Sequence, residues 1–436
     1  MTMKFSTFLA ALLLTATQTF SQTPCSTGRY ASSVYSAINT TSNITYGQNN
    51  SWSGASTTLK LDFYEPQGDT AAVRPLIIWV HGGSFIGGSK TDLDVATWSQ
   101  EFAKKGYACA SIDYRLGFFP FDSANAVKAV VRAVQDLKAA IRFFYKDRAT
   151  TNTYKIDTNH VFVGGSSAGA ITALHVAYLN EPCEIQDYLS AGTIATLGGL
   201  EGASGNPGYS TKVHAVVSGC GALARYSWLE AGDIPLCSVH GTNDGTVKYN
   251  RGVVNPGTPL MYLDGSRMLH ERACAVGVEN TFYTFPNAPH VPYAGSQAYM
   301  DTTLNFIRDF LLKQLGCNDP DLQPANDWMQ AANLYATNYC DGSPVDEVCA
   351  TSGLAENKEM KLLVYPNPAQ NDVQVKWGAS LNMSIELYDF AGRRLVTENV
   401  LSDAYILKRG NLQAGSYVLK LTDKSGNTLV KKLIFN

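Results

Sequence analysis

Charge is scarce in this chain. Of its 436 residues only 16% are Asp, Glu, Lys or Arg, and 34 basic and 37 acidic side chains give a net charge of −3. Without an excess of basic residues the surface lacks the positive field that binds phosphate backbones, so nucleic acid is excluded as a partner. Little charge together with many Ser, Thr, Asn, Gly and Tyr residues favours an extracellular protein.

Apolar runs long enough to cross a bilayer are also lacking. The run Phe8–Leu14 is too short for a membrane helix, follows Lys4, and precedes the small residue Ser21 at a cleavage point before Gln22. This order of charged, apolar and small residues predicts that residues 1–21 are a secretory signal peptide. The exported chain is then expected to have no integral membrane segment.

Metal-binding patterns are the third absence. The chain has 9 cysteines, but no C-x-x-C pair or His/Cys cluster has the spacing of a zinc site, so neither a metal nor a cofactor is implied. Cys109 lies inside an apolar strand and is predicted to be a buried small hydrophobe. Cys340 and Cys349 flank a Gly-Ser-Pro loop and are the favoured disulfide pair. The other pairings stay open, among Cys25, Cys183, Cys220, Cys237, Cys274 and Cys317.

The motif Gly165-Ser166-Ser167-Ala168-Gly169 is the most informative feature that is present. It follows the apolar run His160–Gly164 and opens onto the small-residue stretch Ala170–Ala177. A strand, a sharp turn and a helix form the setting in which G-x-S-x-G presents a nucleophilic serine above a sheet. Ser167 is therefore the candidate nucleophile.

The partners of such a serine follow it in the order acid, then histidine. His270 and His290 come late enough, but His270 lies in a helix-like stretch, whereas His290 follows the apolar strand Thr281–Phe285 in a loop. Asp244 lies in the loop after the strand Ile234–Val239. The predicted triad is Ser167, Asp244 and His290.

An oxyanion-binding turn is predicted upstream. The apolar strand Pro75–Val80 runs directly into His81-Gly82-Gly83-Ser84-Phe85, and an HGG-type turn at this place supplies backbone N–H groups to a developing oxyanion. The expected donors are the N–H groups of Gly83, Ser84 and Ala168.

These motifs, together with Leu61–Pro66 and Ile112–Leu116, resemble the carboxylesterase branch of the α/β-hydrolase superfamily over residues 45–316. The resemblance implies an α/β fold with a mostly parallel central sheet, over a catalytic domain of residues 22–317, and a serine carboxylesterase that needs no cofactor. Alternating apolar strands and helices favour the same sheet. Ser84 departs from the family, which often has a third glycine there, and its side chain is expected to narrow the acyl pocket.

The periodicity changes after Cys317. Residues 318–358 are predicted to be a linker with one short helix, Trp328 to Leu334, and residues 359–436 a small all-β sandwich of short alternating strands. The segments Tyr365–Ala369, Leu387–Arg393 and Leu412–Tyr417 resemble the C-terminal sorting domain of the type IX secretion system of Bacteroidetes-type bacteria. The resemblance implies that the secretion machinery is a partner and that the chain passes through the periplasm to the cell surface or medium.

The substrate is the least determined feature. The short oxyanion loop and the lack of a long apolar cap favour short-chain acyl or polysaccharide-linked acetyl and feruloyl esters over lipid tails. A polyester hydrolase, a serine peptidase of the prolyl-oligopeptidase type and a surface binding protein on an inactive hydrolase core are the alternatives. Tyr226 and Trp228 are candidate pocket residues, and the glycine-rich stretch 198–208 is either a mobile rim of the cleft or a plain surface loop.

Overall fold

The computed structural model describes residues 28–181, 184–317, 362–377, 383–389, 392–401, 404–423 and 428–436. These residues fall into two compact units, of which the first ends at residue 317 and the second begins at residue 362 in the described part. The predicted signal peptide, the helix Trp328 to Leu334 and the pair Cys340 and Cys349 lie outside the described residues.

The first unit is built on a sheet of eight strands in the order β1-β2-β4-β3-β5-β6-β8-β11. Strands β1 and β2 pair antiparallel at one edge, and β2 also runs antiparallel to β4, whereas the pairs from β4 through β11 are parallel. The strands are β1 (Ile38–Asn50), β2 (Ser56–Pro66), β3 (Arg74–Val80), β4 (Ala108–Ile112), β5 (Ile156–Ser166), β6 (Ala215–Gly219), β8 (Leu236–Gly241) and β11 (Asn280–Phe285).

Helices cover both faces of this sheet, because its central strands are apolar on both sides. They are α1 (Leu93–Lys104), α2 (Ser123–Ala149), α3 (Ala168–Tyr178), α4 (Ala191–Thr196), α5 (Ser266–Ala275), α6 (Pro292–Gly295) and α7 (Gln297–Gln314). Along β3, Ile77 and Trp79 pack into one core, while Leu76, Ile78 and Val80 pack into another. The first unit also contains a small antiparallel sheet. Its strand order is β7 (Ala222–Leu223), β10 (Tyr262–Gly265) and β9 (Arg251–Val253).

The predicted fold class is confirmed. The mostly parallel sheet with helices on both faces, its order and its antiparallel edge are those of an α/β-hydrolase. The long helix α2 begins at Ser123 because Asp122 caps its N-terminus by accepting a hydrogen bond from the N–H of Asn125. None of the helices in the described ranges is long and apolar enough to span a bilayer.

The second unit consists of two antiparallel sheets in the described residues. One contains β12 (Leu362–Tyr365), β13 (Val373–Trp377) and β16 (Ala404–Leu407), and the other β15 (Arg394–Val400), β14 (Met383–Asp389), β17 (Gly415–Asp423) and β18 (Thr428–Phe435). Alternate residues along these strands are buried in one hydrophobic core, as period-two patterning predicts. Examples are Ile385 and Leu387 on β14 and Leu419 and Leu421 on β17. The predicted small β domain is thus present.

Candidate active site

The turn after β5 holds Ser167 in a conformation that side chains rarely adopt. Ser167 has φ 53° and ψ −117°, directly before α3 begins at Ala168. The flanking glycines make this turn possible: a Cβ on Gly165 would lie 2.5 Å, and one on Gly169 1.9 Å, from the carbonyl oxygen of Val80. Strand, turn and helix therefore pack too closely for any side chain at these two positions.

The structure brings the three predicted triad residues into one hydrogen-bonded chain. Ser167 Oγ lies 2.8 Å from Nε2 of His290, and Nδ1 of His290 lies 2.6 Å from Oδ2 of Asp244. The three residues follow β5, β8 and β11, whose carboxyl ends meet at one edge of a parallel sheet. Ser167 is 8% exposed and the His290 side chain 19%, so a substrate can reach the pair from solvent.

Asp244 is buried and held as a carboxylate. Its Oδ1 accepts hydrogen bonds from the N–H groups of Thr246 and Val247, both at 2.9 Å. Burial disfavours the charge, but the hydrogen bonds from His240 and His290 outweigh it and hold the pKa of Asp244 well below its usual range. An ionised Asp244 fixes the tautomer in which His290 presents Nε2 as a base.

His240 is a functional neighbour that the sequence analysis passed over. Its Nε2 lies 3.1 Å from Oδ2 of Asp244 and its Nδ1 lies 2.8 Å from Oγ of Ser266. The order acid, then histidine, rules it out as the base because it precedes Asp244 in the chain. His240 lies near the end of β8 and Asp244 follows it by only four residues. This short spacing is the sequence signal that could have indicated the contact.

The turn that carries two of the predicted oxyanion donors approaches Ser167 closely. Gly83, Ser84 and Phe85 all have positive φ, of 99°, 56° and 62°, and a Cβ on Gly82 would lie 3.3 Å from Cβ of Ser167. Among the backbone hydrogen bonds of the described residues, none uses the N–H of Gly83, Ser84 or Ala168. The loop thus approaches Ser167 with N–H groups that remain available to a ligand.

Tyr114 supports this loop. Its hydroxyl donates to the carbonyl oxygens of His81 and Gly82, each at 3.2 Å, and its ring stacks on the His81 imidazole with centroids 4.4 Å apart. Burial lowers the pKa of His81, so its ring is neutral and acts as a structural part of the turn. Tyr114 belongs to the segment Ile112–Leu116 that resembled the family, but its contact with the loop could not be foreseen.

The other candidates lie elsewhere. His270, on α5, contacts Asn280 and packs against Phe282 with ring centroids 5.5 Å apart. Tyr226 and Trp228 are only 1% and 2% exposed, and neither lines the cavity at Ser167 in the described residues.

The glycine-rich stretch 198–208 is held by hydrogen bonds to α2 and β1. Gln135 on α2 donates to the carbonyl oxygens of Leu197 and Gly199, and the N–H of Gln48 on β1 donates to the carbonyl oxygen of Ser204. Of the two readings left open, the plain surface loop fits these contacts. The stretch does not contribute to the lining of the cavity at Ser167 within the described residues.

One side-chain group could in principle hold a cation. Ligand atoms of Cys220, His240 and Asp244 lie within 4.8 Å of one another in the described part of the chain. Burial and the charge of Asp244 raise the pKa of Cys220 to about 12, so it is a thiol and not the thiolate that binds metals. Because Nε2 of His240 and the Asp244 carboxylate already bond to each other, this group does not fit a metal.

An apolar cavity opens beside Ser167. Its walls come from α2, α3 and the segment between residues 246 and 263. Phe85 and Phe118 lie at its rim, and Ser123 Oγ donates to the carbonyl oxygen of Leu260 across one side at 2.8 Å. The structure thus places Ser167, with His290 hydrogen-bonded to it, at an apolar cavity that Ser84 of the predicted oxyanion turn also lines.

Both units match known families. Residues 61–223 match the family BD-FAE, and residues 363–436 match the family described as secretion system C-terminal sorting domain. The mouse carboxylesterase 3B is 32% identical over 115 residues, which are 26% of this chain and 19% of that protein. The neuroligin-like protein glit-1 of Caenorhabditis elegans is 26% identical over 229 residues, 49% of this chain and 27% of that one.

The chain thus spans about a fifth to a quarter of the length of these curated relatives. Among solved structures, the apo form of Thermogutta terrifontis esterase 2 is 20% identical, with a TM-score of 0.48 over 64% of this chain and 96% of that one. The main sheet has the strand order of an α/β-hydrolase, residues 61–223 are similar to the BD-FAE family, and residues 363–436 are similar to secretion-system C-terminal sorting domains.

Proposed function

We propose that the protein is a secreted serine hydrolase that cleaves carboxylic esters through an acyl-enzyme. The observation that carries this proposal is the contact of 2.8 Å between Ser167 Oγ and Nε2 of His290, continued to Asp244. An unassisted serine hydroxyl is a poor nucleophile, and this contact supplies the base that activates it. The similarity to mouse carboxylesterase 3B supports the same reaction class.

The reaction begins with attack of Ser167 Oγ on the ester carbonyl carbon. His290 Nε2 takes the hydroxyl proton, and Asp244 stabilises the resulting imidazolium. The carbonyl oxygen gains a negative charge and accepts hydrogen bonds from the N–H groups of Gly83, Ser84 and Ala168. Loss of one such donor typically raises the barrier by about 3–4 kcal/mol.

Collapse of this intermediate breaks the bond between the carbonyl carbon and the alcohol oxygen. The alcohol leaves with the proton from His290, and the acyl group stays on Ser167. A water molecule then enters, gives a proton to His290 and attacks the acyl carbon, which releases the acid and restores Ser167.

We propose short aliphatic and polysaccharide-linked acetyl or feruloyl esters as substrates, and export through the type IX system after removal of residues 1–21. The sorting-domain match of residues 363–436 supports export by this route. The alternative of a surface binding protein on an inactive hydrolase core is disfavoured, because Ser167 and His290 are hydrogen-bonded to each other.

The full chain should hydrolyse nitrophenyl acetate and butyrate, and a fluorophosphonate should label Ser167. Ser167→Ala is expected to lower kcat/KM at least about a thousandfold, as triad removals do. Ser166→Ala is the matched control, because Ser166 Oγ bonds to the Tyr293 hydroxyl instead of His290. Loss of activity in Ser166→Ala alone, or faster cleavage of peptide anilides than of esters, would contradict the proposal.

The base is tested in the same way with two histidines. His290→Ala should cost a factor similar to that of Ser167→Ala, and the double variant little more, because the two side chains act as one unit. His270→Ala should keep turnover, since His270 bonds to Asn280 on another face of the unit.

A further inference from the structure

The cavity beside Ser167, called the channel, is lined almost entirely by apolar side chains. Val127, Val130, Val131 and Val134 form one wall, and their spacing places them on a single face of α2. Further lining comes from α3, where Ala168, Ile171 and His175 follow each other at helical spacing. A channel of this kind binds an apolar group by the area it removes from water.

The channel holds the acyl side of the substrate, an assignment that rests on the proposed ester hydrolysis. Ser84 and Phe85 of the oxyanion loop and Ser167 line it, whereas His290 is not among the described lining residues. The leaving alcohol must receive its proton from Nε2 of His290. The alcohol therefore departs towards His290, and the acyl group is left to enter the channel.

His175 is the only imidazole among the described residues that line this channel. Its Nδ1 donates to the carbonyl oxygen of Ile171 at 2.7 Å, which leaves Nε2 as the nitrogen with a free lone pair in the neutral ring. Burial lowers the pKa of His175 to about 4, so the ring is neutral at physiological pH. The edge contact with Trp228, with centroids 5.7 Å apart, fixes the ring from behind.

The position of His175 sets the length of what it can bind. It lies eight positions after Ser167, which corresponds to about 12 Å along α3 at 1.5 Å per residue. Because side chains on a helix lean towards its N-terminus, the imidazole lies somewhat closer to the nucleophile than its Cα does. An acetyl or butyryl group bound to Ser167 is too short to reach it.

We propose that His175 is a specificity-determining residue that accepts a hydrogen bond from a hydroxyl group at the far end of an elongated, otherwise apolar acyl group. A phenol on an aryl-propenoyl group and the terminal hydroxyl of a hydroxyalkanoyl group share this chemistry. An acyl group of the same shape without the hydroxyl leaves a buried acceptor unpaired, and sites of this type discriminate strongly against such analogues.

The test compares kcat/KM for two pairs of esters with the full chain. One pair is methyl 4-hydroxycinnamate and methyl cinnamate, and the other is methyl 8-hydroxyoctanoate and methyl octanoate. We expect at least a tenfold preference for the hydroxylated member of one pair, and the pair that shows it identifies the source of the hydroxyl. A ratio near one in both pairs overturns the proposal.

Variants assign the preference to the imidazole. His175→Leu should bring the ratio to about one, and His175→Gln, which keeps an acceptor oxygen, should retain part of it. His160→Leu is the control, because His160 pairs with Asp157 and does not line the channel. An unchanged ratio in His175→Leu overturns the proposal, and if that variant does not fold, a ratio near one for the wild-type protein in both pairs still does so.

The failure of the proposed function would look different. In that case nitrophenyl butyrate would not be hydrolysed, or its hydrolysis would survive Ser167→Ala. The hydroxyl preference is measured as a ratio within one enzyme, so it is independent of the absolute rate.

Discussion

Replacing His240 should slow ester hydrolysis although this histidine lies behind the acid and not against the substrate. Its Nε2 is 3.1 Å from Oδ2 of Asp244 and 3.0 Å from the carbonyl oxygen of Val247. Both neighbours can only accept, so Nε2 carries a proton and donates. The same Oδ2 accepts from Nδ1 of His290 at 2.6 Å, and His240 thereby helps to orient the carboxylate that orients the base.

The size of the effect follows from one lost donor to a buried charge. A hydrogen bond to a charged group contributes about 1.5–3 kcal/mol, and this one is divided between two acceptors, which favours the lower end. At about 1.4 kcal/mol per factor of ten, kcat/KM should fall roughly tenfold, and a hundredfold loss is the upper bound. This loss is far smaller than that expected for Ser167→Ala.

The assay uses His240→Leu and His240→Gln with nitrophenyl butyrate over a range of pH. The amide nitrogen of glutamine can reach the place of Nε2 and donate to Asp244, so His240→Gln should recover part of the rate. In His240→Leu the Asp244 carboxylate loses a donor that helps to hold its pKa low, so the acid limb of kcat/KM should move to higher pH.

Thermal unfolding of both variants is the control for a merely structural role. A His240→Leu variant with the wild-type rate and acid limb would refute the positioning role. The positioning role would also be refuted if His240→Leu and His240→Gln lost kcat/KM equally and in proportion to the fraction of protein that is unfolded.

Three further outcomes are expected. Gly169→Ala should destabilise the fold by at least about 2 kcal/mol in denaturant unfolding, because its Cβ would lie 1.9 Å from the backbone oxygen of Val80; a wild-type midpoint would contradict this packing. Burial raises the pKa of Glu184 to about 7, so the unfolded chain releases this proton first and stability should fall as pH rises from about 4.5 to 7. Glu184→Gln should remove that slope in melting curves, and an unchanged slope would refute the assignment. A chain that ends at Ala355 should keep full turnover on soluble esters but remain in the periplasm of a host with the type IX system, whereas normal export with loss of binding to insoluble substrate would indicate a substrate-binding module.

The sequence by itself was enough to predict the local parts of this protein. The apolar run Pro75–Val80 predicted a strand, and the structure confirms it as β3. The glycines around Ser167 predicted the sharp turn before α3, since only residues without a side chain fit where strand and helix cross closely. These features depend on residues that are close in the chain, and a sequence pattern can predict structure only over such short distances.

Contacts between distant segments were decided only by the tertiary structure. His240 contacts Asp244 through a bend at the end of β8, and His175 enters the acyl channel because α2 packs opposite α3. Tyr226 and Trp228 seemed suited to the pocket by their position in the chain, yet the fold buries them outside its lining. The reason is physical: which side of a helix or loop meets the cavity depends on how whole elements pack, and the residues that fix this packing lie far apart in the sequence.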